Sequence, residues 1–384
     1  MKPVKRRLLT PGPTMVPERV LEALSRPTLY HRSPEFKGIF LETRELLRKI
    51  LRTEGEVLIL TSSGTGAMEA AVANLFNPGD SAVVIVGGKF GQRWKELCET
   101  FGVRPITVEV EWGKAVKVEE VERALRENPQ AKGVLVQICE TSTGTVHPVK
   151  EIGELLKASF PETFLIADGI TAYGVYDIPT DKWGIDVAIT GSQKALMCPP
   201  GLAVISLNER AQERLKEVKD RAYYFNLKKE LKQQRKGQTA YTTATNLVVA
   251  LNEAAKMIVE EGIEEVAKRH AFLAEATREG VKALGLELFS ERPANGVTAV
   301  RAPEGVDGQE VVRIAREEFG VTIAGGQEHL KGKIFRLSHM GYVDIFDVLT
   351  GLEVVEFALK RLGYNAFDYG ASVRRAMEVF SQKG

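Results

Sequence analysis

The sequence predicts an α/β protein with a mostly parallel sheet covered by helices on both faces. A smaller α+β domain is expected at its C-terminal end. Three observations carry this reading. From Glu56 onward, short apolar runs alternate with stretches of helical periodicity, the pattern of strand–helix–strand units. Near Arg210 that pattern gives way to polar and then long-helical sequence. The chain of 384 residues is also long enough for two domains, and its 44% hydrophobic and 27% charged residues are ordinary for a globular protein.

The elements follow in order. The first fifty residues are proline-rich at the start and helical later, and are expected to wrap over the large domain or reach a partner subunit. Strands are expected at 56–60, 82–86, 105–110, 133–138, 163–167, 186–190 and 203–206. Helices are expected at 66–76, 90–101, 118–127 and 149–159. Residues 213–220 read as a charged helix and 232–245 as a polar, threonine-rich segment. One long amphipathic helix is expected over 246–284. Strands at 297–301 and 333–338 and helices at 309–319 and 345–362 complete the chain. The domain reading is an N-terminal arm over 1–25, a large domain over 26–250 and a small one over 251–384.

The 52 basic residues nearly balance the 51 acidic ones. That balance points to neither nucleic acid nor membrane as a partner. Three widely spaced cysteines, Cys98, Cys139 and Cys198, argue against a disulfide framework and against a zinc site, and no metal is expected. The basic N-terminus lacks an apolar signal core, and there is no membrane-length apolar run. A cytoplasmic protein is the expectation.

In an open parallel sheet, ligands bind beyond the carboxyl ends of the strands. The residues expected there are polar, glycine-rich and reactive. Ser63-Gly64-Thr65 opens a helix, and free N–H groups, the helix dipole and two hydroxyls suit a phosphate. It is not a Walker loop, because no Gly-Lys-Ser/Thr follows. Taken singly, it reads equally as a capped glycine turn. Phe90, in a glycine-flanked loop, can offer a flat apolar face to a planar ring, or sit in the core. Asp168, ending an apolar strand, can cap a turn or hold a proton on a ring nitrogen. Lys194 ends the next strand, where desolvation and a nearby cation would make its amine a nucleophile toward carbonyls. A phosphate site, a flat ring, an acid for a pyridinium nitrogen and an amine together describe pyridoxal 5′-phosphate (PLP). Pro199-Pro200-Gly201 then fixes the turn behind Lys194.

Seven ordered motifs carry a resemblance over nearly the whole chain. They are Thr10-Pro11-Gly12-Pro13-Thr14, His31-Arg32-Ser33-Pro34-Glu35-Phe36, Ser63-Gly64-Thr65-Gly66-Ala67-Met68-Glu69-Ala70 and Gly88-Lys89-Phe90-Gly91-Gln92-Arg93-Trp94. Then come Glu140-Thr141-Ser142-Thr143-Gly144, Asp168-Gly169 with Gly191-Ser192-Gln193-Lys194-Ala195-Leu196, and Phe335-Arg336-Leu337-Ser338-His339-Met340-Gly341. The chain resembles the class V aminotransferases of PLP fold type I, in particular the alanine–glyoxylate and serine–glyoxylate (serine–pyruvate) group.

The resemblance implies the fold-type-I sheet, of seven-stranded type, and a homodimer with its site at the subunit interface. It implies Lys194 as the Schiff-base lysine, Asp168 on the pyridine nitrogen and Phe90 stacked on the ring. Ser63, Gly64, Thr65 and Gln193 would bind the phosphate. Thr141 would lie near the phenolic oxygen and the substrate, Arg336 would grip the substrate carboxylate, and Gly12 would lie in a loop over the substrate. Tyr241 and Thr243, or Thr242 beside it, would reach the neighbouring subunit's phosphate. The substrates implied are a small amino acid and a 2-oxo acid, with ping-pong kinetics. Arg336 is the one obvious substrate cation, and Arg32 and Arg93 have no assigned role. That favours alanine or serine as donor, with aspartate as the alternative.

Other readings are weaker on the residues. A cysteine desulfurase needs a cysteine on a distal loop and usually a histidine before the lysine; here Gln193 precedes Lys194 and no cysteine follows Cys198. A phosphoserine or phosphonate aminotransferase would want a further anion site. A non-catalytic subunit of a hydrogenase-type complex would not require the whole PLP set. A dinucleotide fingerprint fails at its acidic position, where Val84 stands.

Overall fold

The computed structural model describes residues 5–382. Its central sheet is built from β1 (Glu56–Thr61), β2 (Ser81–Val86), β3 (Arg104–Glu109), β4 (Gly133–Gln137), β5 (Phe164–Asp168), β6 (Val187–Gly191) and β7 (Leu202–Leu207). Their order is β1-β7-β6-β5-β4-β2-β3. Every neighbouring pair is parallel except those of β7, which runs antiparallel to both β1 and β6. The apolar runs explain this layout. Val134 and Val136 of β4 join one core and Leu135 the other, so both faces of the strand are covered. Register sets Gln137 opposite Asp168 and Asp168 opposite Ile189, which brings adjacent strand ends to one edge.

A third core lies toward the C-terminus. There β8 (Val297–Arg301), β9 (Ala324–Gly325) and β10 (Ile334–Ser338) form an antiparallel sheet in the order β8-β10-β9. Helices Ile263–Ala283, Gly308–Phe319, Ile345–Arg361 and Ala371–Ser381 contribute to this core. The N-terminal segment joins the two regions. Arg7–Leu8 pairs in parallel with Val321–Thr322, and the Ser338 N–H donates to the Leu9 carbonyl at 2.9 Å. Helices Glu18–Leu24 and Pro34–Leu51 then pack on helix Thr245–Glu261. Ser33 caps the second of these by accepting from the Phe36 N–H, and Pro34 occupies its first turn.

Two sequence expectations need correction. The long helix over 246–284 is two helices, Thr245–Glu261 and Ile263–Ala283. Gly262 between them has φ 92°, a conformation that ends the first helix and redirects the second. The polar segment at 232–245 hides the end of a helix, Leu227–Gln234, which Asn226 caps by accepting from the Lys229 N–H. Its polarity is misleading, because Leu227, Glu230 and Gln234 are buried and Gln234 hydrogen-bonds both backbone groups of Ile59. No helix among the described residues is long and apolar enough to cross a membrane.

Candidate active site

Lys194 is delivered by the turn between β6 and β7. Ser192 locks that turn: its Oγ donates to the Pro199 carbonyl at 2.7 Å and accepts from the Leu202 N–H at 3.2 Å. The Lys194 Nζ donates to the Pro11 carbonyl at 2.6 Å. Gly12 packs so tightly here that a Cβ would overlap the Lys194 side chain. Desolvation brings the amine down to about 8; Arg336 and Arg93 push the same way and Asp168 opposes them.

Asp168 is the last residue of β5 and is buried. One of its oxygens accepts from the Ile170 N–H at 2.8 Å. Among the described residues no cation lies within ion-pair distance of it. Burial pushes this carboxyl up to about 7, against the Ile170 hydrogen bond. Such a group calls for a cationic N–H donor.

Helix Gly64–Leu75 begins just after β1. Ser63 is in extended conformation at its start and makes no side-chain cap, so its exposed hydroxyl and the first N–H groups are open to a ligand. Gly64 permits close packing, since a Cβ there would meet Ile170. A Cβ on Gly191 would lie 3.1 Å from Gln193 Oε1 and 3.6 Å from the Gly64 N, so the Gln193 amide borders the same helix start. That buried amide end has no partner among the described residues. An amide can turn either its oxygen or its N–H toward a ligand.

Phe90 stands in the first turn of helix Lys89–Thr100, and Glu140 fixes it there. The Glu140 carboxylate, fully buried, accepts from the N–H groups of Phe90 (3.1 Å), Gly91 (3.0 Å) and Ser142 (3.2 Å) and from Ser142 Oγ (2.5 Å). Burial pushes Glu140 upward, and these donors pull it back. Sequence reasoning had Glu140 inside a motif and gave it no role; a lone carboxylate between a strand and a Thr-Ser-Thr run was the only signal. Arg93 was likewise unassigned. Its guanidinium lies 4.9 Å from the Phe90 ring centroid and donates to Thr65 Oγ1 at 3.1 Å.

Arg336, on β10, is buried. Its Nη1 donates to the Thr141 carbonyl at 2.7 Å, while Nη2 and Nε donate to the Gly325 carbonyl at 2.8 and 3.1 Å. Burial lowers it to about 10, still cationic at neutral pH. Thr141 Oγ1 shares a 2.7 Å hydrogen bond with Thr171 Oγ1. Contacts among these residues and their neighbours thus bring Gly12, Ser63, Gly64, Thr65, Phe90, Thr141, Asp168, Gln193, Lys194 and Arg336 to one edge of the central sheet.

Tyr241 and Thr243 are not brought to these side chains. Tyr241 donates to the Tyr223 carbonyl at 2.9 Å and stacks on Tyr224. Thr243 is turned inward, its hydroxyl 2.9 Å from Thr61 Oγ1, whereas Thr242 is exposed. Thr243 therefore has its hydroxyl engaged within its own chain, and of the two threonines Thr242 is the one open to a neighbour. All three cysteines are buried, with thiols pushed up to about 12 by desolvation, which makes them inert.

These residues fit PLP: an unpaired buried acid at a strand end, a desolvated amine one strand away, and a helix start with an unpartnered amide beside it. Comparison with known proteins agrees. The family model for class V aminotransferases matches residues 7–344. The chain is 39% identical to the small subunit of a soluble hydrogenase from a Synechococcus species, over 98% of this chain and 99% of that one. It is 33% identical to a serine–glyoxylate aminotransferase of Methylorubrum extorquens, over 93% and 92%. Its structure superposes on an aspartate aminotransferase of subgroup IV from Thermus thermophilus with a TM-score of 0.87 and 39% identity, covering 93% of this chain and 99% of that one. The chain belongs to the class V aminotransferases and is a PLP-dependent transaminase.

Proposed function

We propose that the protein moves the amino group of serine or alanine to glyoxylate or pyruvate, in two half-reactions that share one site. The observation that carries the donor class is Arg336, a buried guanidinium with no carboxylate within ion-pair distance among the described residues. It suits the α-carboxylate of an amino acid: Arg336 donates only to backbone carbonyls, whereas the other candidate cations each have a side-chain partner. Lys89 pairs with Glu328 at 2.7 Å, Arg93 donates to Thr65 and Arg32 to Gln238. A small neutral donor side chain needs no further cation.

In this reading Ser63, Gly64, Thr65 and Gln193 hold the cofactor's phosphate, Phe90 covers its ring, Asp168 faces the ring nitrogen and Thr141 lies by the phenolic oxygen. When bound, PLP supplies the electron sink for breaking the donor's Cα–H bond. Lys194 takes that proton at Nζ and returns it, work for which an amine near 8 is well placed. Pro11 and Gly12 pack against Lys194 and limit its contact with water.

The assembly in this reading is a homodimer, with Thr242 reaching the other subunit's phosphate and Tyr241 joining it by giving up its hydrogen bond to the Tyr223 carbonyl. It is supported by exposed Tyr30 at an open groove of about 600 Å³ lined by residues 28–31 and 242–247. The domain reading of an arm (1–25), a large domain (26–250) and a small one (251–384) needs its second boundary moved to Gly262, because helix Thr245–Glu261 is unbroken and its Leu251, Ala254, Ala255 and Ile258 join the large domain's core. A second reading, aspartate as donor, is favoured by the likeness to the Thermus enzyme and would need a second cation released from its partner. The name of the Synechococcus relative raises a place in a larger complex, which would leave the desolvated Lys194 and Asp168 without a use.

The test is absorbance in the visible range on adding L-alanine, L-serine or L-aspartate to purified protein. The expected result is a yellow band bleached by alanine or serine and restored by glyoxylate, and lost in Lys194→Ala with turnover down by roughly 10²–10⁴-fold. Bleaching by aspartate alone would establish the second reading, and a protein that takes up no PLP would refute both.

A further inference from the structure

Arg93 lies three residues past Phe90 on the same helix, so the two side chains share a face. Its guanidinium spans the gap between the Phe90 ring and Thr65 Oγ1, in the second residue of helix Gly64–Leu75. Among the described residues it has no carboxylate within ion-pair distance. Arg214 has one in Asp80 at 2.8 Å and Arg44 in Glu56 at 2.5 Å, whereas Arg93, like Arg336, meets only neutral acceptors. The groups that border the helix start are neutral: two hydroxyls, an amide and backbone N–H groups. They carry no charge to set against a phosphate near −2.

We propose that Arg93 is a positioning residue for the cofactor's phosphate, acting through Thr65 while it backs the Phe90 ring. The proposal rests on the assignment of residues 63–65 to the phosphate. A hydroxyl that accepts from a guanidinium has one lone pair engaged, and its O–H is left to donate elsewhere. Arg93 therefore sets the Thr65 hydroxyl as a donor toward the cradle. It also brings a positive charge to a site of neutral donors, where charge-assisted contacts are the stronger ones. One side chain thus ties the two ends of the cofactor site, the ring face and the phosphate, to one helix.

The test separates phosphate binding from bracing of the ring. Full-length protein stripped of cofactor is titrated with PLP and with pyridoxal, which lacks the phosphate, for the wild type, Arg93→Met and Arg93→Lys. Thermal melts of each apoprotein report folding. The expected result is PLP affinity about tenfold weaker in Arg93→Met, pyridoxal affinity changed by less than about twofold, and Arg93→Lys in between. Adding Thr65→Val to Arg93→Met is expected to cost less than the two separate losses combined, since the residues act as a unit. Equal losses for PLP and pyridoxal would show that Arg93 only braces Phe90, and no loss for either would remove it from the site; both overturn the proposal. Should Arg93→Met melt early, the same comparison made with Arg93→Lys decides. A wild type that binds PLP no better than pyridoxal would instead overturn the phosphate assignment on which the proposal stands.

Discussion

At the residue scale, Asp168 and Lys194, on the ends of neighbouring strand segments but outside ion-pair distance, set the chemistry. Both groups are displaced from their ordinary values by desolvation, the acid up to about 7 and the amine down to about 8. Only the neutral amine attacks a carbonyl, so the rate of PLP uptake by apoprotein is expected to rise with pH and level off above about 8. Asp168 is ionised in that range and favours the protonated amine. Asp168→Asn removes that pull, and the midpoint of the uptake curve is expected to move below 8. Stopped-flow absorbance across pH measures it, and an unmoved or raised midpoint would contradict the electrostatic coupling. Asp168, which ends an apolar strand, and Lys194, which follows one by three residues, were legible in the sequence because a charged residue there needs a reason, and Arg336 was legible through the resemblance.

Among the elements, helix Lys89–Thr100 and the segment after β4 are joined by Glu140. Its carboxylate meets free N–H groups at the helix start, where both the orphan donors and the helix dipole favour a negative charge. Glu140→Gln keeps the shape and loses acceptor capacity. It is expected to cost about 1–3 kcal/mol of stability, by leaving a buried donor unsatisfied. Urea denaturation measures this. A variant as stable as the wild type would mean that water replaces the lost contact and that the helix start holds Phe90 without Glu140. No periodicity announces such a contact, since its two ends are separated by about fifty residues and two strands of the sheet.

Over the whole molecule, three histidines are buried in neutral form. Burial lowers His147 to about 4 and His270 and His339 to about 3. His270 shows why: its Nδ1 hydrogen-bonds the Val266 carbonyl at 2.7 Å and its Nε2 accepts from the Gly341 N–H at 2.9 Å, so a second proton has no place. The unfolded chain takes up that proton near pH 6.5 and the folded one does not. The contribution of His270 is therefore complete above pH 6.5 and is lost as pH falls toward 3, at about 1.4 kcal/mol per pH unit. The buried carboxyls Glu140, Asp168, Asp186 and Glu230 are shifted up and act in the opposite sense, so the total curve blends the two. His270→Gln isolates one histidine. Its destabilisation is expected to be about 2 kcal/mol smaller at pH 5 than at pH 8. Urea midpoints at the two pH values decide it, and equal losses would show that His270 does not titrate with unfolding.

The sequence by itself determined the strand–helix alternation, the covered parallel sheet and the set of side chains at its carboxyl edge. These follow from local periodicity and from where polar residues interrupt apolar runs, which a linear pattern records. Tertiary structure alone decided which of those side chains have partners. It reversed β7 between β6 and β1, because pairing direction depends on what flanks a strand. It broke the long helix at Gly262, whose positive φ a helical pattern does not reveal. It turned Thr243 onto Thr61 and left Thr242 outside, a choice of facing that neighbouring threonines share equally in sequence. Glu140 and Arg93 took their places for the same reason. A buried carboxylate goes to the nearest free N–H groups and a guanidinium to the nearest ring and hydroxyl, and only the folded chain sets which are near.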